Sequence, residues 1–149
     1  MSAVVDVAVD AVRLGVPRTL VVRAATAALR SQRAGRAVLS ITFVSDRRMA
    51  ALNRRHLGRR GTTDVIAFGF EPAGPAAPVV GDIYIAPEVA RRSARVRRLA
   101  PREELVRLVV HGTLHVLGFD HPEDESRVAS PMWQLQERIV KRVLRAGAR

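Results

Sequence analysis

The chain has 149 residues, 48% of them hydrophobic and 26% charged, with a formal net charge of +11. These values exclude a wholly disordered chain, and no apolar run approaches the roughly 20 residues that cross a bilayer. Cysteine is absent, so a transition-metal site has to use His, Asp or Glu. Asp6 and Asp10 argue against an N-terminal signal peptide. We therefore expect one soluble, cytoplasmic domain over residues 1–149.

The excess of positive charge indicates an anionic partner, and a polyphosphate such as RNA is the leading candidate. A merely solvated basic surface is the alternative. Lys141 is the only lysine, and a high-G+C genome favours Arg over Lys by codon composition, although this explains the excess of positive charge less well. Aromatic residues are only 4% of the chain, so a base-stacking platform of the RRM or OB type is not expected.

In chain order, residues 4–9 alternate apolar and polar side chains and predict a short edge strand. Pro17 is a favourable first-turn residue for a helix that runs to about Ala34. Residues 37–44 are β-branched and alternating, which predicts a second strand. The fold is therefore expected to open with a strand, a helix and another strand.

Two further strands follow a second helix. Ser45 as the N-cap and Gly58 as the terminator predict a helix over residues 46–56. Residues 64–70 and Val79–Ile85 predict two core strands, separated by a loop rich in Pro and Gly that no regular element would tolerate.

The remainder is predicted to be helical. Residues 87–98 form a helix that is strongly basic on one side, and Pro101 opens a helix that is apolar on most of its circumference and therefore central and buried. A last helix, capped by Ser130, covers residues 131–147. This order predicts an α+β fold in which helices cover a small mixed β-sheet of about four strands.

Three of the four histidines lie in the segment HGTLHVLGFDH. His111 and His115 are four apart on a predicted helix, so both imidazoles leave one face and can share an ion. Gly118 can adopt the left-handed conformation that ends a helix, which lets the chain return with His121 as a third ligand. Three neutral imidazoles leave a fourth position for water, as a catalytic zinc requires. Three unrelated histidines would rarely show this spacing.

The same spacing occurs in metzincin peptidases, which carry a glutamate directly after the first histidine as general base. Here that position is Gly112, which cannot accept a proton. The histidine spacing therefore still predicts a metal site, whereas the general base that a metzincin peptidase needs is missing.

Three blocks in order resemble the YbeY family of bacterial rRNA-maturation endoribonucleases. HGTLHVLGFDH resembles that family's H-G-x-L-H-L-x-G-[YF]-D-H signature. Leu52–Asn53 with TDVIAF at residues 63–68 resembles its L-N…T-[DN]-V-[LI]-S-F block, and residues 81–85 resemble its G-D-I-x-I strand. The resemblance covers roughly residue 38 to the C-terminus, and the histidine block is its most specific part.

The resemblance implies a single-strand-specific, metal-dependent endoribonuclease in 16S rRNA maturation and ribosome quality control. It also implies a zincin-like metal site on a central helix, with one zinc ion held by His111, His115 and His121. The implied partners are 16S rRNA and ribosomal particles, with ribosomal proteins or a GTPase in addition, and no membrane. Asp120 and His115 are then candidate catalytic residues.

One departure from the family concerns the phosphate. Leu57 stands where the family has an arginine thought to serve the active site, so either Arg59 or Arg60 takes its place or the role is lost. We therefore predict Arg59 as a catalytic and substrate-binding residue, and Arg60 and His56 as substrate-binding residues. For His56 a solvated surface position is the alternative. Ala67 and Gly69 also replace the family's usual Ser and Pro.

Other polar residues have two interpretations each. Asp120 orients a ligand imidazole or assists proton transfer, or it caps the turn after Gly118. Asp82 is a buried acid behind the metal site, or it faces solvent. Thr63 and Asp64 are expected to pin their loop through side-chain-to-backbone bonds. The basic run 91–98 is a solvated helix face or an RNA-positioning surface.

Two rival functions remain open. A non-catalytic rRNA-binding ribosome-assembly factor would use the metal only to brace the fold, and it should unfold when the metal is removed. A peptidase or other small-molecule hydrolase would need casein or ester turnover that depends on His115.

Overall fold

The structure, a computed structural model, describes residues 2–147. It is an α+β fold with one four-stranded sheet, as predicted. The strands are β1 (Ser2–Asp10), β2 (Arg36–Val44), β3 (Val65–Phe70) and β4 (Val79–Ile85). The helices are α1 (Arg18–Ser31), α2 (Asp46–Leu57), α3 (Pro87–Arg97), α4 (Pro101–Val116) and α5 (Pro131–Gly147), with a 3-10 helix at Glu125–Ala129.

The sheet is mixed, in the order β1-β2-β4-β3. β2 pairs in parallel with both β1 and β4, whereas β3 pairs antiparallel with β4. Alternate residues of β2 and β4, such as Ile41 and Ile83, are fully buried against the helices. Burying each such side chain stabilises the folded state by about 2 kcal/mol relative to leaving it exposed to water. The edge position predicted for the first strand is confirmed.

The predicted central helix is α4, which packs against the sheet and against α1, α3 and α5. Two glycines let it approach the sheet closely. A Cβ on Gly112 would lie 2.8 Å from Ile83 Cγ2, and a Cβ on Gly81 would lie 2.4 Å from Val116 Cγ1. A glutamate at position 112 therefore does not fit. The metzincin general base is thus excluded by steric hindrance as well as by the sequence.

Local signals placed most helix ends correctly, with one difference at α1. In α2, Ser45 Oγ accepts a hydrogen bond from the Arg48 amide and Gly58 is left-handed with φ of 63°. Pro17, by contrast, is the N-cap of α1 rather than a first-turn residue, and α1 ends at Ser31 instead of near Ala34. The terminating left-handed residue is an arginine at position 33, which carries no glycine signal.

The 3-10 helix between α4 and α5 was not predicted, because its segment lacks helical periodicity. Asp124 caps it by accepting a hydrogen bond from the Ser126 amide at 2.9 Å. Within residues 2–147, no helix combines the length and apolar character that a membrane crossing requires.

Candidate metal centre

The last turn of α4 brings two imidazoles together. His111 and His115 are one turn apart, with their ring centroids separated by 4.5 Å and their Nε2 atoms by 3.0 Å. Most residues of α4 are buried, so the backbone that carries these two side chains is held by packing on several sides. Both side chains are partly exposed and line a cleft.

A chain reversal brings the third imidazole to the pair. Gly118 is left-handed with φ of 100°, its amide donates to the His115 carbonyl, and the Phe119 amide donates to the Leu114 carbonyl. These two bonds satisfy carbonyls that the helix end would otherwise leave unpaired. The ring of His121 then lies 5.1 Å from each of the other two. One ligand atom from each histidine lies within 4.8 Å of the others.

Hydrogen bonds fix the tautomer of all three histidines. The Nδ1 atom of His111 contacts Gln136 Oε1 at 2.6 Å, that of His115 contacts the Phe119 carbonyl at 2.9 Å, and that of His121 contacts the Pro122 carbonyl at 2.8 Å. Each acceptor is an oxygen, so each Nδ1 carries the proton. The Nε2 lone pairs are therefore left for a shared cation.

The donor set fits zinc. Burial lowers the pKa of His111 to about 4 and also lowers the pKa of His115, so both are neutral ligands at neutral pH. Tetrahedral Zn–N bonds place ligand nitrogens about 3.3 Å apart, close to the 3.0 Å between the two Nε2 atoms. Two Nε2 lone pairs this close repel each other unless a proton or a cation lies between them.

Behind His111, a chain of polar contacts reaches into the interior. Gln136, 1% exposed, donates from Nε2 to Glu137 Oε2 at 3.0 Å, which orients its Oε1 toward His111. Glu137 in turn accepts two hydrogen bonds from Arg107, at 2.9 and 2.8 Å. Arg107 also pairs with Glu103 and Glu104. This chain, called the support network below, holds His111 in one orientation.

In front of the histidines lies an open cleft of about 710 Å³, the metal cleft. It is lined by His111 and His115 of α4, by the loop after α2 and the start of β3, and by the segment after Gly118 that carries His121. Arg59 lines it and pairs with Glu123 at 3.3 Å, both side chains being well exposed. Arg127 lines it as well. Two guanidinium groups thus share the cleft with the three imidazoles.

The predicted substrate residues divide into two groups. Arg59 and Leu57 line the metal cleft, whereas Arg60 lines a separate groove beside the end of α2. His56 packs edge-on against Phe68, with ring centroids 5.1 Å apart, and is exposed. Substrate binding by Arg60 and His56 stays a prediction for RNA that extends beyond the metal cleft.

Asp120 performs the turn-capping role that was one of its two interpretations. Its Oδ1 accepts a hydrogen bond from the His121 amide at 2.8 Å. It does not orient an imidazole, because each Nδ1 has another partner. Asp120 also lines the metal cleft, so its part in proton transfer stays a prediction.

The interpretation of Asp82 as an acid behind the metal site is wrong. Its strand neighbours Gly81 and Ile83 face α4, and side chains alternate along a strand. Asp82 therefore points to the opposite face of the sheet, away from the histidines. The sequence shows the alternation but not which face the central helix covers.

Sequence reasoning missed three residues of the site. Gln136 is a polar residue on the buried stripe of α5 (Met132, Ile139 and Val140 share it), and that placement was the available signal. Asp64 is more than a loop residue, since it lines the metal cleft, and burial raises the pKa of its carboxyl. Arg127 carried no signal, because only the tertiary fold brings it there.

Comparison with known proteins identifies one family. A family model described as Endoribonuclease YbeY matches residues 14–144. A protein of that name from Thermus thermophilus is 37% identical over 133 residues, which cover 86% of this chain and 91% of the relative. Another from Micrococcus luteus is 38% identical over 115 residues, or 73% of this chain and 72% of the relative.

A relative of the same name from Anaeromyxobacter is 41% identical over 115 residues, or 74% of this chain. The matched part of the chain spans only 60% of that relative's length. The solution structure of a Thermotoga maritima protein has a TM-score of 0.63 and 23% identity, covering 93% of this chain and 88% of that one. This last likeness supports the fold alone.

Proposed function

The chain belongs to the YbeY family of endoribonucleases, and from this premise we propose that it cleaves single-stranded RNA with the help of one zinc ion. The observation that carries the proposal is the set of three imidazoles, each with Nδ1 hydrogen-bonded to an oxygen and Nε2 left for a cation, in an open cleft that Arg59 and Arg127 also line. Phosphodiester cleavage needs both features, since negative charge develops on the phosphate.

His111, His115 and His121 would hold the ion, and no further protein ligand comes from residues 2–147. When bound, zinc at such a three-nitrogen site supplies Lewis acidity toward a phosphoryl oxygen and lowers the pKa of a coordinated water. The side chains of the protein would perform the other tasks, which are to bind the RNA, to orient it and to exchange protons with it.

Arg59 is the proposed phosphate-binding residue. Its pairing with Glu123 is exposed and therefore contributes little, so a phosphate group can replace the carboxylate. A guanidinium binds phosphate through two N–H groups at once, which orients the scissile group as well as neutralising it. Asp120, at the rim beside His121, is the proposed proton acceptor.

The test is cleavage of an end-labelled single-stranded RNA by the purified protein. A His115→Ala variant and a chelated sample are prepared identically, because a contaminating ribonuclease would survive both treatments. Cleavage should be lost in both, while circular dichroism shows that the variant stays folded. Equal cleavage in all three samples would reject the proposal.

The second candidate is a non-catalytic rRNA-binding assembly factor with a structural metal, and it is favoured by one observation. Leu57, in the position of the family's arginine, lines the metal cleft with an apolar side chain. This candidate predicts that chelation lowers the melting temperature strongly and that no RNA is cleaved. The enzyme predicts a folded apo form that regains cleavage when zinc is returned.

Family membership supports the finer assignments as proposals. We propose 16S rRNA and ribosomal particles as the substrates, in rRNA maturation and ribosome quality control in the cytoplasm. Ribosomal proteins or a GTPase are proposed as further partners, and residues 1–149 as one hydrolase domain. Depletion of the protein should then leave 16S rRNA precursors with unprocessed ends.

A further inference from the structure

A second cleft of about 360 Å³ adjoins the metal cleft, and we call it the side cleft. His111, Asp64, Val65 and Arg127 line both, so the two share a wall. Trp133, from the first turn of α5, lines the side cleft but not the metal cleft. A group bound there would therefore lie beside whatever occupies the metal cleft.

Trp133 offers the side cleft an aromatic face. It is the only tryptophan of the chain and is half-buried. The guanidinium carbon of Arg127 lies 5.9 Å from the centre of the indole ring. Within residues 2–147 the Arg127 guanidinium makes no ion pair, so nothing but the ring holds it, and it can move aside or cover a second planar group.

Most of the positive charge of the side cleft is already neutralised. Of the three arginines that line it, Arg107 is paired with three carboxylates and Arg97 with Glu104, which leaves Arg127 as the one guanidinium without an ion pair among residues 2–147. Asp64 adds another carboxyl to the wall. A neutral, planar group with hydrogen-bonding edges suits such a site better than an anion does.

We propose that the side cleft binds one unpaired nucleobase of the RNA, the one next to the phosphate held in the metal cleft. The base stacks on Trp133, with Arg127 on its outer face or displaced, and its edge meets the Asp64 carboxyl. This inference rests on the proposed function. A base reaches the cleft only when it is turned out of a helix, so this contact requires unpaired RNA.

The first test uses tryptophan fluorescence, excited where Tyr84 absorbs little, because Trp133 is the only tryptophan of the chain. Zinc-loaded protein is titrated with a short single-stranded RNA and with the same RNA carrying an abasic site at each position in turn. The intact RNA should quench the emission, and one abasic position should abolish the quenching. Quenching that is the same for every RNA, or absent with all of them, overturns the proposal. Cleavage is not needed for this readout.

The second test uses cleavage. Trp133→Leu should raise KM by roughly tenfold, the loss expected for one stacked base, while Trp133→Phe keeps most of the affinity. The matched control is Phe70→Leu, an exposed aromatic outside both clefts, which should leave KM unchanged. If Trp133→Leu is folded and cleaves with unchanged KM, the side cleft is not a base site, although the metal-dependent cleavage would stand. Absence of cleavage by the unmodified protein would instead reject the proposed function, and the fluorescence result would decide the side cleft alone.

Discussion

The metal cleft has two walls of very different construction. One wall, the buried wall, carries His111 and His115 of α4. Behind it, buried polar side chains are joined by hydrogen bonds from His111 through Gln136 and Glu137 to Arg107. The other wall, formed by the loop after α2 and the segment after Gly118, is largely exposed and also carries the third histidine, His121. Its one ion pair between Arg59 and Glu123 is open to solvent.

This difference separates two tasks. A metal ligand has to be held in one orientation before the ion arrives, which the buried wall does for His111 at the cost of desolvating charged groups. A substrate contact has to form and break in every cycle, which suits exposed residues with weak partners. Changes in the buried wall should therefore alter stability and metal affinity, and changes in the exposed wall should alter RNA cleavage.

The largest effect is expected for Arg107→Met. Arg107 is 7% exposed and pairs with three carboxylates, so its removal leaves Glu104 and Glu137 short of a partner in the interior. The free energy of unfolding should fall by about 3 kcal/mol, measured by urea titration. Arg102→Met, an exposed position on the same helix, is the control. Equal stability of the two variants would show that the support network does not brace the buried wall.

Gln136→Leu should weaken zinc binding while the fold persists. Leucine fills nearly the same volume, but His111 loses the acceptor that fixes its Nδ1 proton and ring orientation. Loss of such a contact typically lowers metal affinity by about 10- to 100-fold, measured by competition with a chromophoric chelator. Gln134→Leu, an exposed residue of the same helix, should bind zinc normally. Unchanged affinity in Gln136→Leu would mean that the buried wall does not orient His111.

Arg59→Ala tests the exposed wall. It should lower kcat/KM for RNA cleavage by roughly tenfold, the value of one charged hydrogen bond, with zinc content and stability unchanged. Arg60→Ala removes the same charge from the neighbouring groove and should have a clearly smaller effect. If the order is reversed, Arg60 rather than Arg59 replaces the arginine missing at Leu57.

The smallest effect is expected for Asp82→Asn. Because Asp82 faces away from α4, zinc affinity and kcat/KM should stay within about twofold of the unmodified protein, as for substitutions remote from a site. A tenfold loss of zinc affinity or of kcat/KM would show that Asp82 does act on the metal site, contrary to its position on the opposite face of the sheet.

Local signals were sufficient for much of this fold. Ser45 and Gly58 delimit α2, Val79–Ile85 is a strand as predicted, and the histidine spacing placed three rings around one point. What the sequence did not reveal depends on tertiary packing. The contact between Gln136 and His111 joins residues 25 apart, and neither chain segment signals the other. The predicted end of α1 was wrong for a local reason, because the left-handed residue after the helix is Arg33 and not a glycine.

We expect RNA cleavage to depend on one zinc ion held by the three histidines. The most direct test is to remove all metal, return zinc in measured fractions of an equivalent, and record both bound zinc and the rate of RNA cleavage. The rate should rise in proportion to bound zinc and reach its maximum at one ion per chain, and His115→Ala should show neither zinc binding nor cleavage. Cleavage by the metal-free protein, or a rate that does not follow bound zinc, would contradict this expectation.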